Sequence, residues 1–358
     1  MQTNNLQDKC RGSLIGGAIG DAFGYPVEFV NSFEEIKAKY GEEGITAYDT
    51  SYPWFDEKFD KALFSDDTQM ALYTAEGLLE AERSGRPIIA TICNAYLAWF
   101  GHQVGKKVKI SYDSKLSRIK ELNQRRAPGN TCLSALLSIY NGKDPMNSSK
   151  GCGGIMRVAP IGLYGATHGW SLQETAKLAG VVAELTHLHP LSTHSSAALA
   201  VIVQICVSTD GTVDDGRFKS IIGKSLEVVS GVYGDDAPSM DDFKKLIRTA
   251  LRLEDNLLQD WEIIENGLGG GWVAEETLAI AVFSVIRHIN DFNAYMICSV
   301  NHGGDSDSTG AVAGNIIGEI LGYSAIPQKY LTNLELHDVL LSVADDLGGF
   351  SGPQQMKE

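Results

Sequence analysis

The chain has 358 residues, of which 44% are hydrophobic, and a formal net charge of −15 at pH 7. This hydrophobic content allows a large core and excludes global disorder. Binding to nucleic acid or to an anionic membrane surface depends on Lys and Arg, so a chain this acidic is a poor candidate for either. Six cysteines without a CxxC pair, and a polar start without a signal-peptide core, predict reduced thiols in the cytoplasm. No apolar stretch approaches the ~20 residues of a membrane span.

Two glycine ladders lie near opposite ends of the chain. In 11–24 and in 310–322, glycine recurs every fourth residue, which places each set along one face of a helix. The ladders are Gly12, Gly16, Gly20 and Gly24, then Gly310, Gly314, Gly318 and Gly322. Glycine inside a helix costs about 1 kcal/mol relative to alanine, so two such sets need a packing reason. The sequence therefore predicts that the two helices pack closely in the centre of the fold.

The segment after the first ladder combines acids with aromatic residues. Asp21 and Glu28 lie in GDAFGYPVEF, where a helix-end acid and a loop acid are the simplest interpretation. A short helix is predicted near 32–40, followed by a long surface loop that is either a binding loop or a variable insertion. The aromatic residues of this loop are Tyr48, Tyr52, Trp54, Phe55 and Phe59.

The stretch FSDDTQMALYTAEGLLEAERSG, residues 64–85, keeps a helical period. Ser65 stands at the N-cap position, with Asp66 and Asp67 in the first turn, so a well-capped helix explains all three residues. The alternative is that one hydroxyl and two carboxylates bind a hard cation, because oxygen ligands suit Mg, Mn or Ca.

The middle of the chain predicts mostly helices. Ser171 and Glu174 form a capping box that opens a helix ending near Leu185. Other helices are predicted at 86–101, 110–124, 194–208, 214–230, 239–253, 273–289 and 334–347. The helix at 273–289 is amphipathic, with Glu275 or Glu276 expected on its solvent side.

Two features between these helices are candidates for ligand binding. In KGCGGIMRVAPIGLYG, residues 150–165, the glycines free backbone N–H groups to approach an anion, and Arg157 can add charge, although a plain loop is the simpler interpretation. The glycines are Gly151, Gly153 and Gly154. In LTHLHP, no cysteine or carboxylate completes a zinc site, so we expect a hydrogen-bonding role for His187.

The stretch VNHGGDSDSTGAVAG, residues 300–314, resembles the acidic stretch at 65–67 in composition. Asp305 and Asp307 point the same way if the segment is extended, and the Ser308 hydroxyl can join them. Two carboxylates this close repel each other, and no Lys or Arg lies between Ser299 and Tyr323. Acidic caps on a helix would explain the stretch without a metal. Together, however, the two stretches offer ligands for two hard cations that share carboxylates.

No part of the sequence shows the alternating pattern of several strands. We therefore predict an all-α protein with one domain, residues 1–358, that is a monomer.

The ordered set of motifs resembles the ADP-ribosylglycohydrolase family, of the kind that includes the dinitrogenase-reductase-activating glycohydrolases. The matching pieces span residues 12–318 in the family's order: GSLIGGAIGDAFGYPVEF, FSDDTQMAL, APGNTC, GCGGIMRVAP, LTHLHP, WVAEETLAIAV and NHGGDSDSTGAVAGNIIG. Each piece alone is a weak signal, whereas the ordered set is highly specific.

The resemblance implies an orthogonal bundle of helices with two Mg or Mn ions in a central cleft. The metal ligands would be Ser65, Asp66, Asp67, Asp305, Asp307 and Ser308. The usual family residue at positions 65 and 308 is Thr; serine keeps the oxygen but lacks the methyl group that restricts its rotamer. The same resemblance places Glu28 near the scissile bond and the ADP-ribose diphosphate against Gly151, Gly153, Gly154 and His187.

The implied reaction is hydrolysis of the bond between the ribose anomeric carbon and a modified protein side chain, with arginine as the expected residue. Glu28 or Asp67 would handle the proton, and the sequence does not choose between them. A rival hypothesis is a binding protein that neutralises an ADP-ribosyltransferase toxin by occlusion, as an immunity protein with or without hydrolase activity, using the segment from Tyr48 to Phe59. Hydrolysis of another ADP-ribosyl or nucleoside-like small molecule is a third alternative.

Overall fold

The computed structural model describes residues 2–350, and the described chain is all-helical with only three isolated β-bridges. The prediction of an all-α fold is confirmed. The helices are α1 (Gln2–Gly24), α2 (Phe33–Tyr40), α3 (Asp66–Ser84), α4 (Ile88–Gln103), α5 (Asn130–Tyr140), α6 (Ala159–Thr167), α7 (Leu172–Glu184), α8 (Pro190–Ser208), α9 (Asp215–Tyr233), α10 (Met240–Arg252), α11 (Asp260–Gly267), α12 (Ala274–Arg287), α13 (Phe292–Val300), α14 (Ser306–Leu321), α15 (Gln328–Asn333) and α16 (His337–Leu347).

Helices α1 and α14 pack against each other in the centre, along the two glycine ladders. A Cβ atom on Gly16 would overlap the carbonyl oxygen of Gly314, and one on Gly20 would overlap that of Gly310. Both helices are almost entirely buried over this contact. The predicted close packing is therefore confirmed. It brings the C-terminal end of α1, with Glu28 just beyond it, beside the N-terminal end of α14.

The remaining core surrounds this pair. Helix α3 packs on α4, α8 packs on α6, α7 and α9, and α12 packs on α14 and α10. Among the described residues, α8 is the one helix long and apolar enough to cross a membrane by length and composition. In its apolar window, 89% of the residues are buried inside the fold, so core packing accounts for that composition.

The prediction of a helix at 110–124 is wrong. The structure has two 3-10 turns there, Leu116–Arg118 and Glu121–Asn123. Glu76 on α3 accepts hydrogen bonds from the Leu116 backbone N–H at 3.1 Å and from the Ser114 hydroxyl at 2.7 Å. This partly buried carboxylate accepts the hydrogen bonds that a helix in this segment would otherwise provide for, so the segment folds without a regular α-helix.

On α12, where either Glu275 or Glu276 is expected on the solvent side, Glu276 is the more exposed of the two and is half-buried. Glu275 is buried and pairs with Lys150, which precedes the glycine loop. Glu276 accepts a hydrogen bond from the Gly270 backbone N–H at 3.1 Å. Both acids therefore hold neighbouring loops in place.

Candidate active site

Two helix N-termini meet in the interior and bring the two acidic stretches together. Ser65 is the N-cap of α3, and its Oγ accepts a hydrogen bond from the Asp67 backbone N–H at 3.2 Å. Asp305 occupies the corresponding position before α14. The Ser308 hydroxyl of α14 donates a hydrogen bond to Oδ2 of Asp67 at 2.7 Å. Residues 241 positions apart in the chain therefore share one polar centre.

Carboxylates converge on this centre and are nearly inaccessible to solvent. Glu28, Asp305 and Asp307 each offer an oxygen atom, and these three atoms lie within 4.8 Å of one another. Only 7% of Glu28, 3% of Asp305 and 2% of Asp307 is exposed. Oε2 of Glu28 is buried and has no hydrogen-bond partner among the described residues. An unpaired buried carboxylate oxygen needs a compensating group, so the geometry is suited to a bound cation or a substrate hydroxyl.

Burial and mutual repulsion act on the carboxyl pKa values in the same direction. Burial is the largest cause, and the negative charge of Asp307 is the second. Together they raise the pKa well above the ordinary range at Glu28, Asp66, Asp67 and Asp305. Positive charge in the centre would reverse this effect, because an opposite charge within a few ångströms favours the ionised form.

Asp21 supports the centre from α1. Its carboxylate accepts hydrogen bonds from the backbone N–H of Ser65 at 2.7 Å and of Thr68 at 2.9 Å, and from the Thr68 hydroxyl at 2.5 Å. Burial, followed by the charge of Asp307, raises the pKa of Asp21 to about 7. The sequence interpretation of Asp21 as a simple helix-end acid is therefore wrong: this fully buried side chain holds the first turn of α3 in position.

Cys152 is a member of the centre that sequence reasoning missed. Its thiol donates a hydrogen bond to Oδ2 of Asp305 at 2.7 Å, and burial raises the pKa of the thiol well above its usual range. The available signal was its position between Gly151 and Gly153, in a loop already singled out for binding. Cys152 adds one soft donor atom to a site whose other candidate ligands are oxygens.

The glycine loop and His187 lie against each other. A Cβ atom on Gly151 would stand 3.2 Å from Nε2 of His187, and one on Gly153 would stand 2.8 Å from Cε1 of the same ring. A side chain on either glycine would therefore crowd the imidazole. Gly154 faces the Ser192 hydroxyl instead, where a Cβ atom would overlap the oxygen.

The sequence suggests that Arg157 adds positive charge to an anion site at the glycine loop. In the structure its guanidinium binds elsewhere. Its guanidinium is fully buried and donates to the Val182 carbonyl at 3.0 Å and to Thr186 Oγ1 at 2.6 Å. Because Thr186 Oγ1 accepts from Arg157, its proton is available for Nδ1 of His187, 2.8 Å away. If that proton goes to Nδ1 and not to the Ala183 carbonyl, 3.5 Å from Thr186 Oγ1, the neutral imidazole carries its own proton on Nε2, the atom that faces Gly151.

The His187 ring is uncharged. Burial, with a smaller contribution from the positive charge of Arg157, lowers its pKa to about 3. At neutral pH it can donate one hydrogen bond through Nε2 towards the glycine loop, without contributing a positive charge.

Of the six candidate metal ligands, Asp305 and Asp307 group with Glu28, and Ser308 joins Asp67 to them. Asp66 also accepts from the Gly129 backbone N–H at 3.3 Å, which leaves its second oxygen for a ligand. The donor set is dominated by carboxylate and hydroxyl oxygens, as hard divalent cations prefer. The residues present thus fit Mg²⁺ or Mn²⁺.

Comparison with known proteins extends the match to nearly the whole chain. A family model described as ADP-ribosylglycohydrolase matches residues 2–355. An uncharacterized protein of Archaeoglobus fulgidus is 27% identical over 346 residues, covering 96% of each chain. ADP-ribosylarginine hydrolase Tri1 of Serratia proteamaculans is 24% identical over 341 residues, covering 95% of this chain and 79% of that protein.

A solved structure has the same fold. It is described as an ADP-ribosylglycohydrolase-related protein complex, and it matches with a TM-score of 0.68 at 24% identity, covering 98% of this chain and 100% of that one. Since the family model covers more than nine-tenths of the sequence, the chain belongs to the ADP-ribosylglycohydrolase family.

Proposed function

We propose that the protein is a metal-dependent hydrolase that removes ADP-ribose from modified arginine side chains of proteins. The observation that carries this proposal is the convergence of Glu28, Asp67, Asp305 and Asp307 on one buried centre, beside a neutral histidine and a glycine loop. The choice of arginine is supported by the similarity to a protein named as an ADP-ribosylarginine hydrolase. The six free cysteines support a cytoplasmic location, where thiols stay reduced.

The six candidate ligands would hold two Mg²⁺ or Mn²⁺ ions. Ser65, Asp66 and Asp67 would bind from the start of α3, and Asp305, Asp307 and Ser308 from the start of α14. Two divalent cations would supply positive charge that orients the ribose hydroxyls and lowers the pKa of an attacking water.

Glu28 is the residue we propose for proton transfer. Within the part of the chain that the structure describes, its Oε2 has no hydrogen-bond partner, whereas Oδ2 of Asp67 already accepts from Ser308. Water attacks the ribose anomeric carbon, the bond from that carbon to the arginine nitrogen breaks, and the nitrogen takes a proton. The products are ADP-ribose and unmodified arginine. A carboxylate beside the anomeric carbon also stabilises the positive charge that develops there in an oxocarbenium-like transition state.

The glycine loop is proposed to hold the diphosphate of ADP-ribose. A Cβ atom on Gly151 or on Gly153 would stand 3.2 Å from Nε2 of His187, so the imidazole and the backbone of the glycine loop lie close enough to contact one phosphate. A neutral donor and backbone N–H groups can bind an anion without adding a cation that would compete with the metals.

The test is release of ADP-ribose from an arginine-ADP-ribosylated protein, measured with Mg²⁺, with Mn²⁺ and with EDTA. We expect release that depends on metal and that falls by about 10²- to 10⁴-fold in Glu28→Gln, as for loss of a general acid–base group. Glu57→Gln is the matched control, because Glu57 is an exposed glutamate of the neighbouring loop. Asp307→Ala should lose both metal binding and turnover. Failure to release ADP-ribose from arginine-linked, serine-linked and free-ligand substrates, with metal bound, would overturn the proposal.

A further inference from the structure

Three large aromatic side chains are exposed beside the carboxylate centre. Phe29 is 51% exposed, Trp54 is 37% exposed and Trp272 is 43% exposed. The Phe29 ring stacks on Trp272 with ring centroids 5.5 Å apart and meets the edge of Trp54 at 5.9 Å. The other aromatic residues of the predicted surface loop turn inward: Tyr52 is buried, and Tyr48, Phe55 and Phe59 are half-buried. The exposed aromatic surface next to Glu28 is therefore formed by Phe29, Trp54 and Trp272.

The backbone of Phe29 is held in an unfavourable conformation. Its φ is +67°, in the left-handed region that glycine adopts readily and a bulky residue rarely does. The surrounding structure enforces it, because the Gly304 N–H donates to the Val30 carbonyl at 2.8 Å and Gly303 packs directly on Asn31. Strain of this kind tends to occur at ligand sites. Here it places an exposed ring immediately after Glu28.

The two other rings are attached to the same centre. The Trp272 carbonyl accepts from the Cys152 backbone N–H at 3.2 Å, and the neighbouring Gly270 carbonyl accepts from the Asp305 N–H at 2.8 Å. Trp54 donates from Nε1 to the hydroxyl of Tyr25 at 3.0 Å, and Tyr25 is fully buried in the turn that leads to Glu28. The backbone of Trp272 and the ring of Trp54 are thus connected to residues next to the carboxylate centre.

We propose that Phe29 and Trp54, with Trp272 supporting Phe29, form the subsite for the arginine side chain that carries ADP-ribose. This inference rests on the proposed function. A guanidinium is a planar cation, and it binds to aromatic faces by stacking and by attraction to the ring quadrupole. Glu28, the residue proposed for proton transfer, directly precedes Phe29 in the chain. The subsite therefore selects the leaving group, while the glycine loop selects the diphosphate.

The experiment compares steady-state kinetics on an arginine-ADP-ribosylated peptide with binding of free ADP-ribose by calorimetry. Phe29→Leu and Trp54→Leu keep an apolar side chain and lose the aromatic face. We expect each to raise KM about tenfold, a size typical of a partly desolvated cation–π contact, with ADP-ribose affinity unchanged. Tyr140→Leu is the matched control, because Tyr140 is 42% exposed and lies on α5. Its kinetics should equal those of the wild type.

Phe29→Gly separates binding from folding. Glycine removes the ring but relieves the positive-φ strain, so this variant should be at least as stable to urea as the wild type while its KM rises.

Inhibitors test the charge preference of the subsite. Agmatine, which carries a guanidinium, should inhibit competitively, and citrulline, with a neutral urea group, should not. Unchanged KM in both leucine variants of an active enzyme, or equal inhibition by the two compounds, overturns the subsite. Absence of arginine-linked turnover in the metal-loaded wild type would instead refute the proposed function, whether or not it binds ADP-ribose.

Discussion

The Ser308 hydroxyl donates a hydrogen bond to Oδ2 of Asp67 at 2.7 Å, and this bond joins the first turn of α14 to the first turn of α3. Both residues are candidate ligands, so the bond holds together the two halves of the proposed metal site. Ser308 also donates its backbone N–H to Oδ1 of Asp307 at 2.9 Å. One residue therefore organises a carboxylate on each helix.

Ser308→Ala is predicted to lower the affinity for Mg²⁺ and Mn²⁺, because it removes a ligand oxygen and releases Asp67 from its position. A loss of 10- to 100-fold is typical when a group that orients metal ligands is removed. Ser308→Thr should retain or increase affinity, since the added methyl group restricts the rotamer. Calorimetric titration of both variants with Mn²⁺ checks this. Equal affinities for alanine and threonine at position 308 would contradict a role in metal binding.

Divalent metal is predicted to stabilise the fold by relieving repulsion among buried carboxylates. At 100 times the dissociation constant, a ligand specific for the native state adds about 2.7 kcal/mol to the free energy of unfolding. Asp305→Asn should abolish most of this gain. In EDTA the same variant should be at least as stable as the wild type, because burial raises the pKa of Asp305 and makes its ionised form unfavourable.

The sign of the pH dependence follows from the raised pKa. A carboxyl group whose pKa is higher in the native state binds more protons when folded, so its contribution to stability is present at low pH and is lost as pH rises. The metal-free wild type should therefore lose stability relative to Asp305→Asn when urea unfolding is repeated from pH 5 to pH 8. A constant difference between the two proteins over that interval would argue against the buried charge.

Substitution of the central glycines is predicted to test the contact between α1 and α14. A methyl group on Gly16 would overlap the Gly314 carbonyl. Gly16→Ala should therefore lower the free energy of unfolding by about 1–3 kcal/mol, as overpacking of a core does. Gly223→Ala is the matched control, because a Cβ atom added at this position of α9 would have no other side chain or backbone of the described residues within 4 Å. It should stabilise by about 0.5–1 kcal/mol through helix propensity. Gly16→Leu should unfold the protein, and a normal melting curve for it would refute the contact.

The features predicted correctly from sequence were those with a local signature. The glycine ladders, the capping box at Ser171 and the helical period after Ser65 each depend on residues within a few turns. The failed helix at 110–124 depended on a distant residue, since Glu76 on α3 satisfies that segment. Tertiary contacts of this kind override local propensity and leave no pattern in the segment itself.

The candidate site shows the same division. Acids grouped in the chain, such as Asp66 and Asp67, could be proposed as ligands because their spacing is itself a signal. Cys152 and Asp21 were not, because a lone thiol or a lone acid has no periodicity, and their importance comes from contacts with Asp305 and Ser65 across the fold. The orientation of Arg157 could not be deduced either, since its partners lie near residue 186.

Thr186→Val is predicted to weaken ADP-ribose binding about tenfold by disturbing the His187 tautomer. Valine keeps the shape of threonine but cannot donate to Nδ1, so the imidazole proton is no longer held on Nε2. Nitrogen-15 NMR of labelled histidine reads the tautomer directly and should show Nδ1 protonation rising in the variant. Thr186→Ser should restore both the wild-type spectrum and the affinity. An unchanged His187 signal in Thr186→Val would contradict the hydrogen-bond chain from Arg157.

His187→Gln is predicted to reduce the loss in free energy of unfolding that occurs as pH falls below 6.5. Because burial lowers the pKa of His187 to about 3, the unfolded chain, with an ordinary pKa near 6.5, binds more protons between those values. The contribution of His187 to the free energy of unfolding is fully present above pH 6.5 and is lost as pH falls. The loss between pH 7.5 and pH 5 is about 2 kcal/mol. Urea unfolding at both pH values should show that loss reduced in the variant.

His194→Gln is the comparison variant and should reduce the same loss, since burial lowers the pKa of His194 to about 4. Only His187→Gln should also weaken ADP-ribose binding, because His187 alone faces the glycine loop; equal effects of the two substitutions on that affinity would remove His187 from the binding site.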